Sequence, residues 1–439
     1  MGKLRHDLKE AGKHADKEAA PRRMRRFFSE LGPGLITGAA DDDPSGIGTY
    51  SMAGASLGFA TLWTAILTFP LMSAIQFLCA KIGMVSGMGL AGVLRRHYSR
   101  AVLFPAVGAL LVANTINVGT DIGAMASAIN LIVPIPLHWL VVAIAVLIVG
   151  VQVWGSYRAL ARIFKWLTLT LFAYVGAAIL ARPPWREVLK ATLIPHLSWD
   201  GKYLTTLVAI LGTTISPYLF FWQASEEVEE ERKMGRRTLE EREGATYAEL
   251  KTAAWDTNVG MFFCNLIFYF VILAAGATLH ASGKTNIQSA AEAAQALTPL
   301  AGRAASLLFA FGLIGSGFLA VPVLSGSCAY AVAEAFGWEC SLDDKPHEAK
   351  HFYLIIVIST LIGLLINFLG INPMAALFWT AVINGLISPP LLVIIMLVSN
   401  NPRIMGDKTN SLAAKLVGWA AVAIMFAAAV AMVLTWNKQ

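Results

Sequence analysis

The chain is short of charge. Asp, Glu, Lys and Arg make up 14% of its 439 residues while 56% are hydrophobic, and soluble domains carry about a quarter charged residues. So little charge excludes an ordinary water-soluble domain and places the chain in a bilayer. Cysteine is scarce too. Cys79, Cys264, Cys328 and Cys340 lie scattered with no CxxC spacing, which excludes a disulfide framework or thiolate cage and leaves four small apolar fillers. The eight histidines fall mostly in tails and loops, so no catalytic constellation is expected. The first thirty residues are polar and basic with no apolar core; a cleavable leader is not expected, and this tail (1–30) should stay in the cytosol.

What is present in quantity is apolar length. Stretches long enough to cross about 30 Å of hydrocarbon occur near 31–58, 60–87, 101–131, 136–155, 160–181, 203–225, 253–279, 301–333, 352–370, 373–398 and 411–436. The expected fold is an all-α integral membrane protein of about eleven spans. With the basic tail inside, alternation puts 26 of the 34 Lys and Arg residues on the inner side and 7 outside, with Lys81 inside a span. That bias predicts a multi-pass protein of a bacterial inner membrane, amino terminus cytoplasmic and carboxyl terminus outside. The net charge of +6 is thereby explained by topology, and no nucleic-acid partner is expected. The loop from Glu226 to Lys251 mixes charges of both signs and predicts a solvated helix with i,i+4 pairs. Asn286 to Leu297 predicts an amphipathic connecting helix lying flat outside.

The first span carries three carboxylates, Asp41, Asp42 and Asp43, followed by Pro44, in the middle of an apolar run. A charge at that depth costs about 2.5–3.5 kcal/mol even on lenient scales, so it faces water, a partner or an ion. Pro44 lacks an amide hydrogen and disfavours helix at Asp43, and Gly46 and Gly48 loosen the next turn. A break around Asp43 to Gly46 follows, freeing carbonyls such as that of Ala40 to line a cavity or meet a ligand. The sixth span repeats the device with Gly212, Thr213, Thr214, Ser216 and Pro217. Five helices separate the breaks, so the halves, spans one to five (31–181) and six to ten (203–398), have opposite orientation, with 411–436 an additional helix. This is the pattern of an inverted-repeat transporter with an ion site at the midplane. A carrier of an organic solute would share the fold, but Asp41 to Asp43 would repel an amino acid's carboxylate. Two unwound half-helices also point to a site open to one side at a time rather than to a channel.

Other polar residues fall where such a site could recruit them. Asn114, Asn117 and Asp121 share a face of the third span, and Thr380 and Asn384 a face of the tenth, before Pro389-Pro390. Helix-to-helix hydrogen bonding accounts for these five as well as ion contact does, although Asp121 needs a polar neighbour. Gly315, Ser316 and Gly317 in the eighth span predict a close-packing surface.

At the two breaks, DPSG (Asp43 to Gly46) and ISPY (Ile215 to Tyr218), preceded by LGPG (Leu31 to Gly34), the chain resembles the NRAMP family of divalent-metal transporters, whose first helix carries DPGN and whose sixth carries Met-Pro-His. The resemblance extends over essentially all spans, and the departures look like those of the NRAMP-related magnesium transporter branch. It implies a metal bound by the first-helix aspartate and asparagine, carbonyls at both breaks and the sixth-helix methionine. Carried over by position these are Asp43, Gly46, the carbonyls of Ala40 and Thr213, and Ser216; Asp42 or Asp41 would touch the hydration shell, and Asn384 would lie close by.

A thioether suits transition metals, whereas carboxylate, hydroxyl and carbonyl oxygens suit magnesium, calcium or manganese. Magnesium keeps several waters and uses one or two carboxylates, and the smaller Gly46 and Ser216 would leave room for those waters. The expected cargo is a largely hydrated Mg²⁺, with Mn²⁺ tolerated, taken up by alternating access in a monomer that needs no cofactor. Family members are proton-coupled through a sixth-helix histidine and third-helix acids. Here Tyr218 to Gln223 include no histidine and the third span keeps only Asp121, so transport without proton coupling is expected, leaving a proton-coupled Mn²⁺ or Fe²⁺ carrier as the alternative.

Overall fold

A computed structural model describes residues 32–155, 169–338, 340–342 and 346–436. The basic tail and part of the fifth predicted span lie outside them. Helices form where apolar runs fall between proline, glycine and Asx or Thr caps. The first span is α1 (Pro33–Asp41) and α2 (Pro44–Leu57); then come α3 (Trp63–Ser86), the short α4 (Leu90–His97), α5 (Arg100–Asn130), α6 (Leu137–Trp154), α7 (Ala173–Leu180) and the connector α8 (Trp185–Leu193). The sixth span is α9 (Gly201–Thr214) and α10 (Pro217–Lys233), followed by α11 (Leu239–Arg242), α12 (Tyr247–Ala275), α13 (Ala290–Ala294), α14 (Ala305–Phe336), α15 (Lys350–Ile366), α16 (Pro373–Ser399) and α17 (Leu412–Thr435). No strand occurs among the described residues. Among the described residues, eight helical stretches are individually long and apolar enough to cross a membrane. Leu169–Leu180 and Lys350–Ile366 are shorter apolar pieces, and the interrupted first span completes the eleven expected positions.

Lipid offers no hydrophobic drive between helices, so they seat through small residues. α1 runs alongside α12 with Gly34 against the backbone of Thr257 and Gly38 against Gly260; a Cβ at either glycine would enter that backbone. α9 crosses α16 in the same way, Gly212 lying on Ala381 and Gly385. Gly317 packs on Met125 and Pro44, which agrees with the close-packing surface expected of the eighth span. Two apolar clusters result. One gathers Ala40, Leu211 and Ile215 with the buried faces of α3, α10 and α14; the other gathers Ile47, Tyr50 and Ile210 with α12 and α13. Both breaks sit on the seam between them. Lys81, buried inside α3, donates to Asn410 Oδ1 at 2.5 Å, and Asn410 donates on to Ser399, which supplies the polar partner an intramembrane cation needs.

The charged 226–251 segment departs from the solvated helix expected in its first part only; from Lys233 onward it is largely exposed. α10 continues to Lys233 as one helix and packs against α3, α4 and α14, so Glu226, Glu229 and Glu231 are buried. Arg232 pairs with Glu229 at 3.1 Å, and Arg236 bridges Glu231 and Glu249. Burial in a packed junction converts surface charge into a cross-braced one. On α11, backbone amides of Thr238 and Arg237 hold the Glu241 carboxyl below the usual carboxylate range. The Asn286–Leu297 stretch does form a short helix, α13, burying Ala290, Ala293 and Ala294.

Candidate ion site at the two helix breaks

The two breaks are built alike. α1 ends at Asp41; Asp42 (ψ 48°) and an extended Asp43 (ψ 165°) leave the helix, and Pro44 opens α2 at its first position. α9 ends at Thr214; Ile215 (ψ 64°) and an extended Ser216 (ψ 133°) follow, and Pro217 opens α10. Proline suits a helix start, where its missing N–H would have no partner anyway. The first break therefore lies one step earlier than the sequence suggested. Gly46 and Gly48 belong to α2, because Asp43 caps that helix and stabilises its first turn.

Asp43 is the hub. Its Oδ1 accepts from the Gly46 amide at 2.6 Å and from Ser45 Oγ at 2.8 Å, and its Oδ2 accepts from Asn117 Nδ2 on α5 at 3.0 Å. Carbonyls freed by the breaks find hydroxyls: Tyr218 donates to Ala40 O at 2.9 Å, Ser216 to Thr213 O at 2.6 Å, and Ser388 of α16 to Ile215 O at 2.8 Å. Asp43, Ala40, Thr213 and Ser216 are each 1% exposed, so this conformation is closed on both sides. Several oxygens in it accept no hydrogen bond, among them Thr213 Oγ1, Asp42 Oδ1 and Asn117 Oδ1.

Of the residues singled out from sequence, Asp43, Gly46, Ala40, Thr213 and Ser216 come together: an added Cβ at Gly46 would lie 3.1 Å from Thr213 Oγ1 and 3.3 Å from Asp43 Oδ1. That closeness corrects one expectation, since the small residue at 46 leaves no void in the closed state. Asn384 is buried on α16 beside the sixth-span break, one turn before Ser388, but is not among the hydrogen-bond partners of Asp43. Asp41 is engaged with α12, where Cys264 Sγ donates to its Oδ2 at 2.9 Å. Cys264 is thus no mere apolar filler. The third-span residues divide: Asn114 ties α5 to α14 through Leu324 O and Ser327, whereas Asn117 reaches Asp43. Tyr218 and Ser388 were missed. Their signal was position alone, next to Pro217 and one turn after Asn384. Because Ser388 covers a carbonyl that would otherwise be bare in the bundle, Ser388→Ala is expected to cost about 1–3 kcal/mol, read as a lower melting temperature in detergent.

Two stretches have the letter spacing of enzyme motifs, and the structure disposes of both. In His347–His351 (HEAKH) the helix begins only at Lys350, so the two histidines do not share a helical face as a zinc site of that kind requires. In Gly54–Gly58 (GASLG), Ser56 lies within the continuous α2 and not on the strand-to-helix turn that exposes a nucleophile. Among the described residues no three His, Cys, Asp or Glu side chains are placed to hold a metal.

Two helices interrupted at equivalent places around a buried carboxylate, each opening one five-span half of a helical bundle, define an inverted-repeat transporter rather than an enzyme. The profile of the family described as "Natural resistance-associated macrophage protein-like" (Nramp) matches residues 34–435, and the chain belongs to that family. It is 28% identical over 417 residues to the divalent metal cation transporter MntH of Deinococcus radiodurans, covering 93% of this chain and 90% of that one. It is 28% identical over 404 residues to MntH of Klebsiella pneumoniae, covering 90% and 91%. A solved manganese transporter from Eremococcus coleocola superposes with a TM-score of 0.72 at 19% identity, over 92% of this chain and 85% of that one. A nucleobase-cation-symport-1 family transporter shares the fold at a TM-score of 0.55 and 13% identity, over 92% and 93%.

Proposed function

We propose that this protein imports divalent metal cations, preferring Mg²⁺ carried with most of its waters and accepting Mn²⁺, by alternating access and without proton coupling. The observation that carries the reading is the oxygen character of the closed site. Ser216 stands where the family has a methionine, its hydroxyl on Thr213 O, and the single carboxylate in the shell, Asp43, is steadied by Ser45, Gly46 and Asn117. Hard oxygen donors with one carboxylate suit a hydrated magnesium ion. In this reading Asp43, Ala40, Thr213 and Ser216 face the ion, Asp42 and Asn384 touch its outer waters, and the backbone of Gly46 closes the floor. Because Gly46 lies so near Thr213, room for waters arises when the half-helices separate. Tyr218 stands at the position of the family's histidine and is engaged with Ala40 O, which leaves no imidazole there to relay protons. Inward movement is still driven, since two charges crossing an inside-negative potential gain about 4.6 kcal/mol per 100 mV. The protein acts as a monomer with its amino terminus in the cytoplasm, its repeats being 31–181 and 203–398.

The relatives named as divalent metal and manganese transporters favour a second reading, a proton-coupled Mn²⁺ carrier of the ordinary family type. Uptake into proteoliposomes separates the two. With no pH gradient, Mg²⁺ uptake is expected to proceed, to leave internal pH unchanged, and to be the process by which millimolar Mg²⁺ suppresses Mn²⁺ uptake. Mn²⁺ uptake that ignores millimolar Mg²⁺, or acidification in step with the metal, would establish the second reading instead.

A further inference from the structure

The family's first-helix asparagine is absent from this chain, Gly46 standing in its place, yet a carboxamide reaches the same aspartate from a different helix. Asn117 is completely buried on α5, and its Nδ2 donates to Asp43 Oδ2 at 3.0 Å. A carboxylate in that position only accepts, so the amide nitrogen must face it and the orientation of the amide is fixed. Asn117 Oδ1 is then the free end of the fork, and it is buried without a hydrogen-bond partner. An amide oxygen left unpaired in a dry interior is unfavourable, which marks a place where a ligand is missing its contact. One turn on, at i+4 on the same face, Asp121 is fully buried and lies within electrostatic reach of Asp43.

Geometry at Gly46 explains why the amide has moved. A Cβ there would lie 3.1 Å from Thr213 Oγ1 and 3.3 Å from the Tyr50 ring, so a longer side chain on α2 would push the two breaks apart. On α5 the amide meets the opposite oxygen of Asp43 and leaves the Gly46–Thr213 approach intact. We propose that Asn117 takes over the part of the missing first-helix asparagine: its amide nitrogen positions Asp43, and its Oδ1 joins the oxygen shell of the transported divalent cation. The inference rests on Asp43 being the ion site.

Calorimetric titration of the purified full chain with Mg²⁺ and separately with Mn²⁺ tests it, using Asn117→Leu and the near-isosteric Asn117→Asp. Loss of a hydrogen bond to a charged group together with an ion contact is expected to weaken Asn117→Leu by about 10- to 100-fold. Asn117→Asp restores an oxygen to the shell but cannot donate to Asp43 while ionised, and is expected to bind at least about threefold more tightly than Asn117→Leu though more weakly than the parent. Equal weakening of the two variants would reduce Asn117 to a positioning residue and overturn the ligand role; unchanged binding by Asn117→Leu would overturn both parts. If Asn117→Leu fails to fold, Asn117→Ala takes its place in the same comparison. Asp43→Ala, run alongside, separates this inference from the one beneath it. Metal binding that survives Asp43→Ala refutes the site itself, whereas binding of Mn²⁺ but not Mg²⁺ refutes the magnesium preference and leaves Asn117 tested by Mn²⁺.

Discussion

Asp43→Ala is expected to lower divalent-metal uptake by at least about two orders of magnitude, measured as initial rates in proteoliposomes. The carboxylate has two parts to play. It caps α2 through Gly46 and Ser45, and in the proposed site its second oxygen, held by Asn117, supplies negative charge to offset the cation's desolvation. Each part can be removed alone. Asp43→Asn keeps an oxygen for the Gly46 amide, as caps by asparagine do as well as those by aspartate, but gives up the charge. Its uptake should fall nearly as far as that of Asp43→Ala while its melting temperature stays closer to the parent's. A variant at 43 that kept full uptake would remove the ion from this break.

Gly212→Leu is expected to produce the largest loss of stability in the bundle. Gly212 lies directly on α16, where a Cβ would come within 2.6 Å of Gly385 Cα and enter the Ala381 carbonyl. Backbone cannot yield as a flexible side chain can, so overpacking here costs more than the about 1–3 kcal/mol typical of cores. It also displaces Ser388 from Ile215 O, stripping the sixth-span break of its cover. Size-exclusion and thermal unfolding in detergent should show an aggregated or strongly destabilised protein, with Gly212→Ala intermediate. A Gly212→Leu variant melting like the parent would mean that α9 and α16 can separate at no cost.

Much of the architecture was legible because the bilayer allows so few solutions. Apolar length located the spans, proline after a polar residue located both breaks, and their five-helix separation gave the repeat. The sequence misjudged residues whose meaning depends on a neighbour far along the chain. Cys264 looked like filler until α12 brought it to Asp41, 223 residues away. The acidic end of α10 looked solvated, and is buried because the helix continues into a junction braced by Arg232 and Arg236. Asn114 and Asn117 were equivalent on a helical wheel. Only the packing of α5 sends the first to α14 and the second to Asp43.

The sequence by itself determined that the chain spans a membrane, that two spans are interrupted, and that a carboxylate sits at one interruption. Each follows from local rules: hydropathy, the geometry of proline, and the cost of charge in hydrocarbon. Tertiary structure alone decided which polar groups share the space around that carboxylate. Hydrogen bonds of about 3 Å join Tyr218 to Ala40, Ser388 to Ile215 and Asn117 to Asp43. They exist only once helices far apart in sequence are seated together by glycine contacts, and a pattern read along one helix carries no record of the neighbour it will meet.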